Sequence, residues 1–345
     1  MESGISKVNY FCTMTGTNYL SKALVLYDSL LNTCGDAFKL IFFAYDAETF
    51  EILKRLDYKN IIPVSIDQLE TADPRLLDLK KSRSIAEYFF TCTPQVITYA
   101  LAKFDIDMVT YLDADLYFYQ NPQLIIDEMA YNSVLITEHR YYPPVDNHDH
   151  GKYCVQFMPF RNDLASKIVL ETWKEQCVEW CFGYPENGKY GDQGYLNDWP
   201  EKYKNVVVSE NRGVGLATWN KPGYRIFSEG HKIRAYSEEI KNEIDVVFYH
   251  FNSLKIYSNR LISTGISKDD KSLFKIVYEN YLNRLSVKEN EILKIAGCSR
   301  KDLLYPEWVD TQLVFFLKEF RRIFSPRTRD IIYYYKFLRE YVWLP

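Results

Sequence analysis

Two aspartates, Asp113 and Asp115, follow an apolar run at residues 108–112. Continuous apolar residues with β-branched members are typical of a strand buried on both faces of a parallel sheet. Burying two unpaired carboxylates at the end of such a strand would cost several kcal/mol. Mg²⁺ or Mn²⁺ would compensate both charges and leave positions free for phosphate oxygens. The alternative is a strand end at which both aspartates are exposed to solvent. The Asp-x-Asp spacing alone does not distinguish the two, because it also occurs at Asp105 and Asp107.

His250 ends a predicted strand at residues 244–249, and Lys255 follows five positions later. A histidine at a strand end is usually a capped surface residue. With Lys255 nearby, the histidine would instead supply a metal ligand and the lysine a cation that binds phosphate.

Asp192 and Gln193 lie between Gly191 and Gly194. Glycines let the backbone approach a ligand closely, so this segment predicts site residues, although Asp192 is equally suited to a helix N-cap. Arg83 precedes the metal-binding segment, where it would contact a phosphate or simply begin a solvated helix.

The order of strands and helices predicts a doubly wound α/β sheet, in which ligands bind at the carboxyl ends of the strands. Thr13, Thr15 and the acid pair fall at that edge. The first elements are a strand at 7–15, a helix at 19–31, a strand at 38–45, a helix at 47–56 and a strand at 60–66. The later ones are a helix pair at 80–104 that is divided at Pro94, strands at 133–138, 153–160, 206–209 and 244–249, and helices at 165–181, 271–296 and 307–343.

Composition excludes several classes of protein. The 345 residues are 47% apolar and 26% charged, as in a globular protein that is soluble, and the net charge of −4 argues against nucleic-acid binding. Seven scattered cysteines predict free thiols in a reducing compartment. The 16% aromatic share suits sites that stack on bases or sugars, but also a Tyr-rich core. With neither a signal peptide nor an apolar span, we expect a cytoplasmic protein.

The last part of the chain differs in character, and we expect a main domain at 1–262 followed by a helical region at 263–345. Residues 318–345 carry seven basic and three acidic residues. Basic and aromatic residues on helices predict peripheral contact with an anionic membrane surface, at the inner face. Packing on the main domain or a homodimer contact is the alternative. The loop at 139–151, with three histidines, fits no zinc pattern and is expected to be a mobile loop on the acceptor side.

Four motifs in order resemble the GT-A nucleotide-sugar glycosyltransferases, most closely family 8, the glycogenin and lipopolysaccharide galactosyltransferase group. They are residues 13–30, Tyr-Leu-Asp-Ala-Asp at 111–115, Asp-Gln-x-x-Leu-Asn at 192–197, and His-x-x-Ser-x-Lys at 250–255. The resemblance covers roughly residues 8–255. It implies a mixed, mainly parallel GT-A (Rossmann-like) sheet flanked by helices, followed here by the helical extension.

The resemblance also implies roles for individual residues. Thr13, Thr15 and Tyr19 would hold uridine. Asp113, Asp115 and His250 would bind Mn²⁺ or Mg²⁺, Lys255 and Arg83 would contact the diphosphate, and Asp192 and Gln193 would lie beside the anomeric carbon. The segment at 153–157 departs from the family's sugar-binding sequence, so the donor sugar stays open.

The implied reaction is transfer of a sugar from a UDP-sugar to a glycan or lipid-linked saccharide acceptor, in bacterial-type surface polysaccharide synthesis. The family favours retention of configuration, in which Gln193 suffices near the anomeric carbon. Inversion would need a base, for which Asp192 is the candidate. Two alternatives are a sugar-phosphate nucleotidyltransferase, against which the lack of a Gly-rich basic loop at 14–18 argues, and a non-catalytic carbohydrate-binding protein on the same fold.

Overall fold

A mixed eight-stranded sheet forms the centre of the computed structural model, which describes residues 8–144, 149–258, 261–266, 270–305 and 341–343. The strands are β1 (Asn9–Thr15), β2 (Phe38–Ala44), β3 (Ile61–Ser65), β4 (Met108–Leu112), β5 (Leu116–Phe118), β6 (Val134–Glu138), β7 (Tyr153–Cys154), β8 (Phe157–Arg161), β9 (Val206–Val208), β10 (Leu216–Ala217), β11 (Tyr224–Glu229), β12 (Lys232–Ser237), β13 (Asn242–Asp245), β14 (Phe248–His250), β15 (Lys255–Ile256), β16 (Leu261–Ser263) and β17 (Tyr341–Trp343). The helices are α1 (Leu20–Cys34), α2 (Ala47–Leu56), α3 (Ile66–Ala72), α4 (Arg75–Ser82), α5 (Ile85–Lys103), α6 (Gln123–Ile126), α7 (Leu164–Glu179), α8 (Trp199–Lys202), α9 (Lys271–Leu273) and α10 (Glu279–Ile295), and a π-helical turn at Phe274–Tyr278 joins the last two.

The central sheet has the order β3-β2-β1-β4-β8-β6-β7, with β9 beside β6. The first four strands are parallel, β8 runs antiparallel to β4 and β6, and β9 is parallel to β6. One face packs against α5 and α7 and the other against α1 and α2, each over a core of buried apolar side chains. The predicted mixed, mainly parallel sheet flanked by helices is therefore confirmed.

Local sequence explains where the early helices begin and end. Oδ1 of Asp46 accepts a hydrogen bond of 2.7 Å from the amide of Thr49 and so caps α2. Ser84 and Glu87 form a capping box at the start of α5. These caps satisfy amide groups that a helix leaves unpaired in its first turn. α2 begins at its predicted position, whereas the predicted helix pair at 80–104 is divided between α4 and α5, before Ile85.

The predicted break at Pro94 is wrong, because α5 continues through it as one helix. Proline removes one backbone hydrogen bond and usually kinks a helix. Here Oγ1 of Thr98 donates to the Pro94 carbonyl at 2.8 Å, and Pro94 is buried where α5 packs against β1 and α7. Tertiary packing therefore outweighs the local cost.

Two predicted strands are divided. The segment at 153–160 forms β7 and β8 with Val155 and Gln156 between them, and the segment at 244–249 forms β13 and β14. The two halves of the second segment have different neighbours, β12 for β13 and both β5 and β10 for β14. The hairpin of β11 and β12, which was not predicted, supplies the partner for β13.

The predicted helix at 271–296 is present, and it packs on the main domain. The ring of Tyr281 stacks on Phe251 with centroids 3.7 Å apart, and Nζ of Lys288 lies 2.9 Å from Oδ1 of Asp28. Of the predicted helix at 307–343, only the last three residues are described, and they form β17 rather than helix. The membrane-contact prediction for residues 318–345 falls outside the described residues apart from this strand.

All seven cysteines are free, as predicted. Among the helices of the described residues, none is both long and apolar enough to cross a membrane.

Candidate active site

The turn after β4 and the end of β14 bring three predicted metal ligands together. Nε2 of His250 lies 3.0 Å from Oδ1 of Asp115 and 3.6 Å from Oδ2 of Asp113. The pairing explains this, because β5 directly follows the acid pair and places Leu116 opposite His250 on β14. His250 and Asp115 are buried. Two segments far apart in sequence therefore meet through one short antiparallel pair of strands.

Gln156, between β7 and β8, orients the His250 ring. Its Oε1 accepts a hydrogen bond from Nδ1 of His250 at 2.9 Å, and its Nε2 donates to Oγ1 of Thr137 at 3.2 Å. A Cβ on Gly215 (φ +74°) would come 2.5 Å from Nε2 of Gln156, so a glycine there leaves room for the amide. When the ring is neutral, its Nε2 lone pair therefore faces the carboxylates, as is usual for a metal-binding histidine.

Lys22, in the first turn of α1, is a buried cation beside the acid pair. Its Nζ lies 3.7 Å from Oδ2 of Asp115, donates to the Leu254 carbonyl at 2.7 Å and sits 3.9 Å from the centre of the Tyr19 ring. Burial lowers the pKa of Lys22 to about 8, although Asp115 opposes the shift. The site thus holds a lysine whose charge depends on its acidic neighbour.

The two carboxyl groups differ in their affinity for protons. Burial raises the pKa of Asp113 to about 6, with the neighbouring Asp115 adding to the shift and His250 opposing it. Burial would also raise the pKa of Asp115, but His250 and Lys22 outweigh it and lower this pKa to about 2. Burial would lower the pKa of His250, but the two aspartates raise it above its usual value. A divalent cation would therefore compete with a proton for His250.

The donor set of two carboxylates and one oriented imidazole fits a divalent cation. Among the residues that the structure describes, no three His, Cys, Asp or Glu side chains are arranged as a ready metal cage. The three groups instead contact one another as an ion-pair cluster, in which His250 lies against both acids.

Asp192 is buried under the same edge of the sheet, whereas Gln193 is tied to a loop. Burial raises the pKa of Asp192 to about 7, with a hydrogen bond from Thr93 opposing the shift and the charge of Asp113 adding to it. The side chain of Asp192 makes no capping hydrogen bond to the helix that follows, although the residue occupies the N-cap position. Nε2 of Gln193 donates to the His150 carbonyl at 2.7 Å.

The residues predicted to hold uridine lie at the end of β1 and just after it. Thr13 is fully buried, and its hydroxyl has no hydrogen-bond partner among the described residues. Thr15 is also buried and donates to the Gly16 carbonyl at 3.4 Å. The hydroxyl of Tyr19 donates to Oδ2 of Asp115 at 3.4 Å, which brings Tyr19 to the acid pair itself. The uridine roles stay predictions.

Lys255 is exposed on the same side as Tyr19. Its Nζ lies 5.8 Å from the ring centre of Tyr305, and that ring packs edge-on against Tyr19 with centroids 6.1 Å apart. The structure therefore brings Lys255 to the rim of the site.

Arg83 is placed beneath the end of α7 instead. Its guanidinium donates to the Cys177 carbonyl at 2.6 Å, to the Val178 carbonyl at 2.7 Å and to the Thr91 hydroxyl. Carbonyl groups at a helix C-terminus carry partial negative charge, which a buried cation stabilises. Among the residues that the structure describes, Arg83 makes no hydrogen bond or ion pair with the acid pair, so the structure does not bring it together with the other candidate residues.

Replacing Arg83 with methionine is expected to lower the free energy of unfolding by about 2–3 kcal/mol, because two helix-end carbonyls lose charged donors. Urea unfolding measures this. Arg75→Met is the matched control, since Arg75 makes its ion pairs with Asp73 and Glu175 at the surface and should cost less than about 1 kcal/mol. A stable Arg83 variant with weakened nucleotide binding would point to the diphosphate role instead.

Sequence reasoning missed Lys22 and the orienting role of Gln156. A signal for Lys22 exists, because it is a lone lysine among the apolar residues that start α1. Gln156 is likewise a lone polar residue in an apolar segment. Neither signal says which partner the side chain meets, since both partners are distant in sequence.

No model of a known protein family matches the chain. Two proteins of Bacillus subtilis (strain 168), both described as uncharacterized, are similar to it. YfnD is 26% identical over 290 residues, which are 82% of this chain and 90% of YfnD. YfnF is 30% identical over 288 residues, which are 80% of this chain and 91% of YfnF.

The fold is similar to that of solved glycosyltransferases. The galactosyltransferase LgtC, in complex with donor and acceptor sugar analogs, matches with a TM-score of 0.50 and 13% identity over 81% of this chain and 95% of LgtC. The apo form of mouse xyloside xylosyltransferase 1 matches with a TM-score of 0.44 and 15% identity over 71% of this chain and 97% of that one. The likeness to LgtC shows that this chain has the GT-A fold, as the sequence motifs predicted.

Proposed function

The chain belongs to the same family as YfnF of Bacillus subtilis, and we propose that it is a metal-dependent glycosyltransferase that moves a sugar from a UDP-sugar to a saccharide or lipid-linked acceptor. The observation that carries the proposal is that Nε2 of His250 lies within 3.6 Å of carboxylate oxygens of both Asp113 and Asp115, at the carboxyl edge of a GT-A sheet. Ligands of such sheets bind at that edge.

The donor would lie along this edge. Asp113, Asp115 and His250 would hold Mn²⁺ or Mg²⁺, which would neutralise charge on the diphosphate as the sugar–phosphate bond breaks. Lys22 is buried and already beside Asp115, and Lys255 stands at the rim, so both would add positive charge toward the leaving group. Thr13, Thr15 and Tyr19 would contact the uridine, at the end of the neighbouring strand.

The sugar would be handled near Asp192 and Gln193. We propose retention of configuration, with Gln193 as the polar group beside the anomeric carbon. The raised pKa of Asp192 also suits a proton acceptor at neutral pH, which supports inversion as the alternative. The anomeric proton signals of the first-formed hydrolysis product, followed by NMR, decide between the two outcomes.

UDP together with Mn²⁺ is expected to raise the melting temperature of the full chain. A ligand present at 100 times its Kd stabilises the folded state by about 2.7 kcal/mol, and thermal shift detects such an effect. The control is UDP with Mn²⁺ and an excess of chelator, which should give no comparable shift.

Two results would contradict the proposal. The first is no shift with UDP, GDP, CDP or ADP in the presence of Mn²⁺. The second is release of pyrophosphate from UTP and a sugar phosphate, which would indicate a nucleotidyltransferase. The donor itself would be identified by hydrolysis of a panel of UDP-sugars.

A further inference from the structure

Apart from the candidate active site, a cavity of about 300 Å³ lies between the end of β6, the loop that follows it and the β11–β12 hairpin. Its size is at the lower end of the range for small-molecule sites. Tyr142 and Tyr224 line it together with Ser237, Arg140 and Arg212. None of the four motifs that predicted the GT-A site contributes to its walls.

The cavity is one layer of side chains away from the candidate metal ligands. His139, at the start of the lining loop, accepts hydrogen bonds through its carbonyl from Nε1 of Trp219 and Nδ2 of Asn220, both at 2.8 Å. The Trp219 ring packs edge-on against His250 with centroids 5.2 Å apart. A sugar residue held in this cavity would therefore lie close to the site where the donor is proposed to react, with the Trp219 ring between them.

Two buried polar atoms on the cavity wall have no hydrogen-bond partner among the described residues. One is the hydroxyl of Ser237, which is fully buried. The other is Nε of Arg140, whose side chain is 4% exposed and whose ion-pair partner, Oε2 of Glu138, lies 3.8 Å away, beyond hydrogen-bond distance. The other guanidinium nitrogens of Arg140 donate to backbone carbonyls, of which those of Asn211 and Ser209 lie at 2.7 and 2.8 Å, and this fixes the side chain in place. An unsatisfied buried polar group is costly, so a ligand with hydroxyl groups would gain from both atoms.

The charges on the wall largely cancel. Oε1 of Glu138 lies 3.2 Å from Nζ of Lys152, and Oε1 of Glu239 lies 3.0 Å from a guanidinium nitrogen of Arg212. A site built for phosphate would leave its cations unpaired. Paired charges instead offer donors and acceptors together, which suits the hydroxyl groups of a neutral sugar, while tyrosine rings provide apolar surface for its C–H groups.

We propose that this cavity, the β6–hairpin pocket, binds an uncharged sugar residue of the acceptor. The proposal rests on the proposed glycosyltransferase function and adds a place and a chemical class for the acceptor. Tyr142 is the side chain to test, because it lines the pocket from an exposed loop and packs on Gly223, where an added Cβ would come 3.0 Å from its ring.

The test is saturation-transfer NMR on the full chain with UDP and Mn²⁺ present. The probes are methyl β-D-glucopyranoside, methyl β-D-galactopyranoside and methyl N-acetyl-β-D-glucosaminide at millimolar concentration. At least one is expected to bind the wild type, and Tyr142→Ala is expected to weaken that binding about tenfold through loss of one aromatic contact. Ser237→Ala, which removes only the hydroxyl, is expected to weaken it as well.

Tyr131→Ala is the matched control, since Tyr131 is 90% exposed and lies outside the pocket. The stabilisation by UDP and Mn²⁺ should be unchanged in all three variants, which shows that they fold. The proposal is overturned if no probe binds the wild type, or if Tyr142→Ala and Ser237→Ala both bind the probes as tightly as the wild type does. A wild-type chain that binds sugars in the pocket but no nucleotide would contradict the transferase function alone.

Discussion

Replacing Asp113 with asparagine is expected to reduce sugar transfer about 10²–10³-fold, because the isosteric amide loses a negative charge that would hold the cation at the diphosphate. The same variant should lose the stabilisation by UDP and Mn²⁺. Its folding stability should not fall, since burial and the neighbouring Asp115 already make the charged form of Asp113 unfavourable. Transfer assays, thermal shift and urea unfolding measure the three effects.

Asp115→Asn should lose activity to a similar extent, but it should also destabilise the fold. Asp115 is the buried partner of both His250 and Lys22, and removing one member of a buried ion pair costs about 3–5 kcal/mol. The pKa of Asp115 is lowered from 3.8 to about 2, so its contribution is present above pH 4 and is lost as the pH falls toward 2.

Asp107→Asn is the control for both variants, because Asp107 belongs to the second Asp-x-Asp pair and is exposed. It should resemble the wild type in activity and stability. Full activity of Asp113→Asn would exclude the proposed role of the acid pair.

Replacing Asp192 with asparagine is expected to have opposite effects on activity and on stability. Activity should fall about 10²–10⁴-fold if the carboxylate acts on the reacting groups. Stability at pH 8 should rise by up to about 4 kcal/mol, which is three pKa units at about 1.36 kcal/mol each. Such an exchange of stability for activity is common at functional sites.

The pH dependence identifies the cause. Burial raises the pKa of Asp192 from 3.8 to about 7, so the unfolded chain ionises first and the wild type loses stability as the pH rises from about 4 to about 7. The asparagine variant does not lose stability in this way, so the free energies of unfolding of the two proteins should differ least near pH 4. Asp198→Asn, in the same segment but exposed, is the control. Equal pH profiles for wild type and the Asp192 variant would contradict the buried, proton-binding state of Asp192.

The first half of the fold could be predicted from the sequence because its signals are local. β1, α1, β2 and α2 follow one another with the apolar periodicity of their own type, and the Asp46 cap marks the start of α2. The predicted break at Pro94 was wrong because proline disfavours a helix locally, whereas the tertiary packing of α5 stabilises the helix through Pro94. The hairpin of β11 and β12 was missed although Gly230, with φ +60°, marks its turn.

The candidate site divides in the same way. Asp113, Asp115 and His250 could be proposed from motifs, since each motif carries its ligand at a fixed position. The placement of Arg83 under α7, of Gln156 against His250 and of Lys22 against Asp115 depends on contacts between distant segments. A single sequence does not reveal such contacts. It therefore cannot distinguish a basic residue that binds phosphate from one, such as Arg83, that stabilises a helix end.

The short pairing of β5 with β14 has a consequence for the newly made chain. While residues beyond β4 are still being synthesised, β1, β2, β3 and β4 have all their parallel partners and can assemble. By then Asp113 and Asp115 have been synthesised. Their partner His250 and the Leu254 carbonyl, which accepts a hydrogen bond from Lys22, come about 135 residues later. A ribosome-bound or truncated chain that ends before residue 248 would therefore hold Asp113, Asp115 and Lys22 without these partners, and the proposed nucleotide binding would require that β14 has docked.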